Sequence, residues 1–137
     1  MAAIGFSHGL YRLTTPQLAG LSQRAATALF APALGEEALF RGPFIPGRSE
    51  AGRPWLAIVL VMLAFTLWHV VEATTFLPKA APIFLRADFL ACAAALWLGA
   101  GVIRWRTGSL WPAVALHWLV VMVWQTWLGG PGLEALR

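Results

Sequence analysis

Charge is scarce in this chain and cysteine is nearly absent. Only 12% of its 137 residues are charged, about half of the roughly one quarter usual in soluble domains. Acidic residues number six, and none precedes Glu36. The single cysteine, Cys92, excludes an internal disulfide and any multi-cysteine metal centre. Set in the apolar run 90–98, it reads as a packing residue. Residues 1–10 have neither a basic start nor an apolar stretch closing on a cleavage-like site, which argues against a secretory signal. The ten Arg and Lys residues leave a net charge of +4, but they are scattered singly, with no basic run or stripe. A nucleic-acid partner is therefore not expected. Isolated cations bordering apolar segments are what a bilayer-embedded chain carries.

Apolar surface, by contrast, is abundant. Hydrophobic residues make up 59% of the chain and the mean hydropathy is +0.70. Four apolar segments stand out, at about 18–40, 55–77, 83–103 and 110–128. Each of the last three approaches the ~20 residues with which a helix spans ~30 Å of hydrocarbon. The first is weaker: it carries Arg24, Glu36 and Glu37, and Pro32 is placed to kink it. Gly42, Pro43, Pro46 and Gly47 punctuate the chain after it, Pro78 and Pro82 divide the second segment from the third, and the fourth closes on Gly129-Gly130-Pro131-Gly132. Trp55, Trp105, Trp111 and Trp127 lie near segment ends, where an interfacial aromatic belt sits. No polar stripe recurs at the helical period, which argues against a soluble bundle.

The expectation is an all-α, polytopic transmembrane bundle with about four membrane-embedded helices, bathed by membrane lipid. It forms a single membrane domain over residues 1–137, with a short N-terminal lead over 1–17. Flanking cations do not orient it. Arg12, Lys79, Arg86 and Arg137 border one side, while Arg48, Arg53, Arg104 and Arg106 border the other.

Ionisable residues inside spans are costly and mark function. Here they are Glu36, Glu37, His69, Glu72, Asp88 and His117, with Arg41 at a span end. On an α-helix Glu37 and Arg41 stand four apart and pair on one face, which offsets the desolvation of both ions. Glu36 points about 100° away from Glu37 and meets only Leu39 and Phe40 at the next turn. A carboxylate that is unpaired and poorly solvated is a stronger base, suited to activating water. His69 and His117 each stand in an apolar helix. One such histidine alone is ordinarily a hydrogen-bonded packing residue; two, with a free glutamate from a third helix, are the elements of an assembled site. Glu72 reads as a wetted acid at a helix end, and Asp88 as an interfacial charge beside Arg86.

The order of these groups is informative. Glu36, Glu37 and Arg41 are followed by Phe65-Thr66-Leu67-Trp68-His69, then by Thr107-Gly108-Ser109-Leu110-Trp111-Pro112 leading into His117. Over about residues 26–128 this resembles the CAAX prenyl protease 2 family, also called CPBP intramembrane metalloproteases or the Abi family. The resemblance implies an intramembrane endopeptidase acting on a peptide or prenylated-protein substrate, in the cell (inner) membrane of a prokaryote. By the same resemblance Glu36 activates the attacking water with help from His69, and His117 helps bind the developing oxyanion. Glu37 and Arg41 brace the site. Glu36, His69 and His117 would offer a divalent metal such as zinc three ligands and an open position. The same residues would equally serve a metal-free glutamate and histidine site, and no H-E-x-x-H helix is present.

Two departures from the family pattern stand out. The family often places Asn or Asp four residues after its last histidine, where this chain has Val121. Gln125 lies a further turn away, ~12 Å along the axis from His117, a poor substitute. Extra N-terminal helices are also common in the family, so self-association would complete this shorter core. These departures motivate an alternative, a non-catalytic membrane module (immunity or scaffold protein) that retains the fold. A small ion or proton carrier would also use buried Glu and His.

Overall fold

The computed structural model describes residues 1–16, 18–50 and 52–136; Arg137, one of the flanking cations, lies outside the described residues. Among those described there are helices and connecting turns but no strand. Helix α1 (Ala2–Ser7) opens the chain. α2 (Leu21–Ala28) starts at Gly20, whose φ of 68° is left-handed and costs glycine little. It runs directly into a π-helix, π1 (Leu29–Arg41), which contains Pro32. Proline lacks an amide donor and its ring crowds the carbonyl four residues back. The wider i→i+5 winding accommodates both, and its last bond runs from the Gly42 amide to the Glu37 carbonyl, 3.1 Å. Extended π winding is rare and gathers at functional sites.

α3 (Pro54–Thr74) begins with proline in its first turn, where no donor is lost. It ends where the Glu72 carbonyl accepts the amides of Thr75, Phe76 and Leu77. A single 3₁₀ turn (Pro78–Ala80) and the short α4 (Ala81–Phe84) follow. α5 (Ala87–Thr107) closes on Gly108, again left-handed at φ 68°. α6 (Trp111–Trp127) and α7 (Leu133–Leu136) complete the chain. α5 is central: α3, α6 and α1 all pack on it, while α6 also packs on π1 and α2. Gly101 allows the α3 approach, because a Cβ there would stand 3.1 Å from Ile58 Cγ2.

The all-helical expectation holds, and the count of about four membrane-embedded helices is not confirmed. Among the described residues two helices, α3 and α5, are long and apolar enough to cross a membrane, against the four expected. α6 stops at 17 residues, and the first segment is divided between α2 and π1 because Pro32 changes the winding. The third segment is also cut. Ile83 belongs to α4, and Arg86, extended at ψ 136°, resets the chain before α5. Arg86 grips Asp88 with two bonds of 2.9 and 2.6 Å, in keeping with an interfacial pair, and this contact raises the Arg86 pKa further. Of the four belt tryptophans, Trp55, Trp111 and Trp127 are exposed, and Trp55 packs on Trp105 with centroids 5.4 Å apart.

Leu56, Leu60, Leu63 and Leu67 form an exposed stripe along one side of α3, spaced as one helical face. Such a patch is poorly matched to water and well matched to lipid. Arginine at Leu63 is expected to cost about 2.5–3.5 kcal/mol of insertion and to reduce the protein recovered in carbonate-washed membranes. Leu63→Ala is expected to leave recovery unchanged. Full recovery of Leu63→Arg would show that this face meets water.

Candidate active site

A cavity of about 110 Å³ opens between π1, α3 and α6. Glu36, His69 and His117 all line it, with Glu72, Val121 and Gln125. The three residues drawn from three separate segments are thus brought to one space. Glu37 and Arg41 stand behind the wall, with no solvent exposure. They pair across one turn of π1.

His117 connects the two glutamates. Its Nδ1 lies 3.1 Å from Glu37 Oε1 and its Nε2 lies 3.8 Å from Glu36 Oε2. The expected divergence of the two carboxylates is therefore corrected. Placing more residues in each turn, π winding rotates successive side chains by less than an α-helix does, so Glu36 and Glu37 both reach α6. Glu36 is free of partners on its own helix, as anticipated, but it faces His117.

The tautomers follow from the partners. Glu37 is ion-paired with Arg41, and a carboxylate only accepts, so His117 Nδ1 carries the proton and Nε2 offers a lone pair. His69 Nδ1 lies 3.1 Å from the Phe65 carbonyl, which likewise only accepts. Its Nε2 is also left as an acceptor. The His69 ring is held edge-on by Phe65, Phe84 and Phe89, at centroid distances of 4.4, 5.1 and 5.1 Å. Both histidines are thus oriented by one nitrogen and available through the other.

Arg41 is fixed just as firmly. Its Nη2 donates to the Trp97 carbonyl, 3.2 Å, and the guanidinium sits 3.5 Å from the centre of the Trp97 ring. Trp97 stacks on Phe65 at 3.6 Å. The chain Glu37–Arg41–Trp97–Phe65 therefore runs from behind His117 to the residue that orients His69.

Some lining residues were not singled out from the sequence. Met1, Leu10 and Tyr11 come from the N-terminal lead, which is tied down by backbone bonds from Arg12 to Leu128 and from Thr14 to Trp127. Burial raises the Tyr11 phenol above its ordinary range, so it remains a donor. No motif marks this segment. Glu72 was readable as a neighbour of His69, since residues three apart share a helix face. Gln125, set aside on axial distance, reaches the cavity as well. Among the described residues, no three His, Cys, Asp or Glu side chains gather closely enough to hold a metal ion.

Removing one partner of a buried pair strands the other. Glu37→Gln is expected to destabilise the fold by about 3–5 kcal/mol, read as a lowered melting temperature in detergent. Glu37→Leu combined with Arg41→Met is expected to recover much of that loss. Strictly additive losses would show that the two side chains do not depend on each other.

With this geometry in place, known proteins supply a comparison. The family model described as type II CAAX prenyl endopeptidase Rce1-like matches residues 19–123. No curated protein and no solved structure matches the chain. The matched stretch contains Glu36, Glu37, Arg41, His69 and His117, and it agrees with the family that the motif order resembles. The chain belongs to the Rce1-like family of type II CAAX prenyl endopeptidases.

Proposed function

We propose that the protein is an intramembrane endopeptidase that hydrolyses a peptide or prenylated-protein substrate with water activated by Glu36. The observation that carries this reading is the position of His117, bonded to Glu37 through one ring nitrogen and 3.8 Å from Glu36 through the other. Peptide hydrolysis needs a base for water and a donor for the tetrahedral oxygen. Glu36 takes a proton as the water oxygen bonds to the scissile carbonyl carbon. His69 Nε2 accepts from the water's second hydrogen and aims it.

His117 has two successive tasks in this scheme. As a neutral ring its Nε2 has no hydrogen to give an oxyanion. Once the proton passes from Glu36 to Nε2, the imidazolium becomes a donor, stabilised by the Glu37 carboxylate at Nδ1. As the C–N bond breaks, that proton leaves with the amine. Glu37 and Arg41 act through His117, by fixing its ring, rather than on the substrate.

Val121 favours the second reading, a non-catalytic module, because it supplies no donor one turn beyond His117. Cleavage of a membrane-embedded reporter by purified protein separates the two. Glu36→Gln is expected to lower the rate by at least about 10²-fold with an unchanged melting temperature. Undiminished cleavage would remove Glu36 from the mechanism, and no cleavage by the wild type in any reporter would favour the module. Val121→Asn adds an amide donor and is expected to raise turnover roughly tenfold or more, measured as kcat on the same reporter.

A further inference from the structure

Hydrolysis consumes water, yet the cavity holding Glu36 is walled largely by apolar side chains, among them Phe65, Phe84, Phe89 and Leu96. A second and larger cavity, about 540 Å³, lies against it. Its walls come from the α2 face, the end of α6 and the glycine-rich turn, and they are rich in hydroxyl and amide groups: Thr14, Thr15, Gln23, Thr27 and Gln125. One water needs only about 10–15 Å³ of such space together with a few polar partners, so the chamber has room for many. Thr14, Thr15 and Gln23 are exposed, which brings the chamber to the protein surface. Gln23 also donates to Glu134 at 3.2 Å, tying α2 to α7 at its edge.

Among the described residues two line both cavities, Gln125 and Pro131, and of these Gln125 has the polar side chain. That side chain is half-buried, and its amide makes no hydrogen bond to protein among the described residues. A half-buried amide without a protein partner calls for water. From Gln125 the cavity wall continues along α6 through Val121 to His117, about 12 Å in two turns.

We propose that the polar chamber is the water reservoir of the site and that Gln125 is the positioning residue that passes water from it towards Glu36 and His117. The inference rests on the hydrolytic reading for its purpose, but not for its test. Wetness is read directly by thiol labelling. In a Cys92→Ala background, Thr27→Cys and Gln125→Cys are treated with a charged methanethiosulfonate reagent, whose sulfur a hydrated thiolate attacks to form a disulfide with release of methanesulfinate. Thr15→Cys serves as the exposed control and Leu119→Cys as the control on the exposed apolar face of α6.

Both chamber cysteines are expected to react within about tenfold of Thr15→Cys and at least about a hundredfold faster than Leu119→Cys. The same rates are expected with Glu36→Gln added, so this arm stands whether or not the protein hydrolyses anything. Labelling at the Leu119→Cys rate overturns the reservoir. The second arm tests Gln125 by turnover. Gln125→Leu is expected to lower kcat at least about tenfold with unchanged KM and melting temperature, and Gln125→Asn to restore it. Wild-type kcat in Gln125→Leu overturns the role of Gln125, as does a loss that Gln125→Asn fails to rescue.

Discussion

The ion pair between Glu37 and Arg41 sets the terms for everything around it. Both side chains are wholly withdrawn from solvent, where the desolvation of two charges is repaid only by close pairing and by partners for the remaining polar atoms. Three elements supply partners, although the Arg41 Nε keeps none among the described residues. π1 carries both charges, α5 offers the Trp97 carbonyl and ring to Arg41, and α6 offers His117 Nδ1 to Glu37. The pair therefore acts as a junction that fixes the distance between π1, α5 and α6. It also decides the tautomer of His117, because the carboxylate it holds in place can only accept.

Pro32 has the next largest influence. An α-helical first segment would separate Glu36 from Glu37 by about 100° and leave one of them away from α6. The wider winding that absorbs the proline keeps both glutamates against His117. A backbone irregularity thus assembles the site, in line with the tendency of π winding to occur where function resides. The aromatic stack of Phe65 on Trp97 then links the two histidines, since Phe65 both carries the carbonyl that orients His69 and packs edge-on against it.

Much of this was legible in the sequence, for identifiable reasons. Buried ionisable residues are so few that Glu36, Glu37, Arg41, His69 and His117 could be singled out by their cost alone, and the i,i+4 pairing of Glu37 with Arg41 follows from helix geometry. The direction of Glu36 was not legible, because side-chain period changes with helix type and a single proline does not announce π winding. Segment ends were read correctly for α6 and less well for α5, whose start is set by Arg86 and Asp88 rather than by hydropathy. The lining role of Tyr11 and Gln125 depends on how the chain ends pack against the bundle. No local pattern encodes that.

The central claim is that Glu36 activates water rather than attacking the peptide itself, and an isotope experiment addresses it. Purified protein is allowed a single turnover on a peptide reporter in ¹⁸O-water, and product and protein are then weighed by mass spectrometry. One ¹⁸O is expected in the new carboxyl terminus of the product and none in the peptide containing Glu36. Label in the Glu36 carboxylate would mean a covalent acyl intermediate, and would contradict the claim.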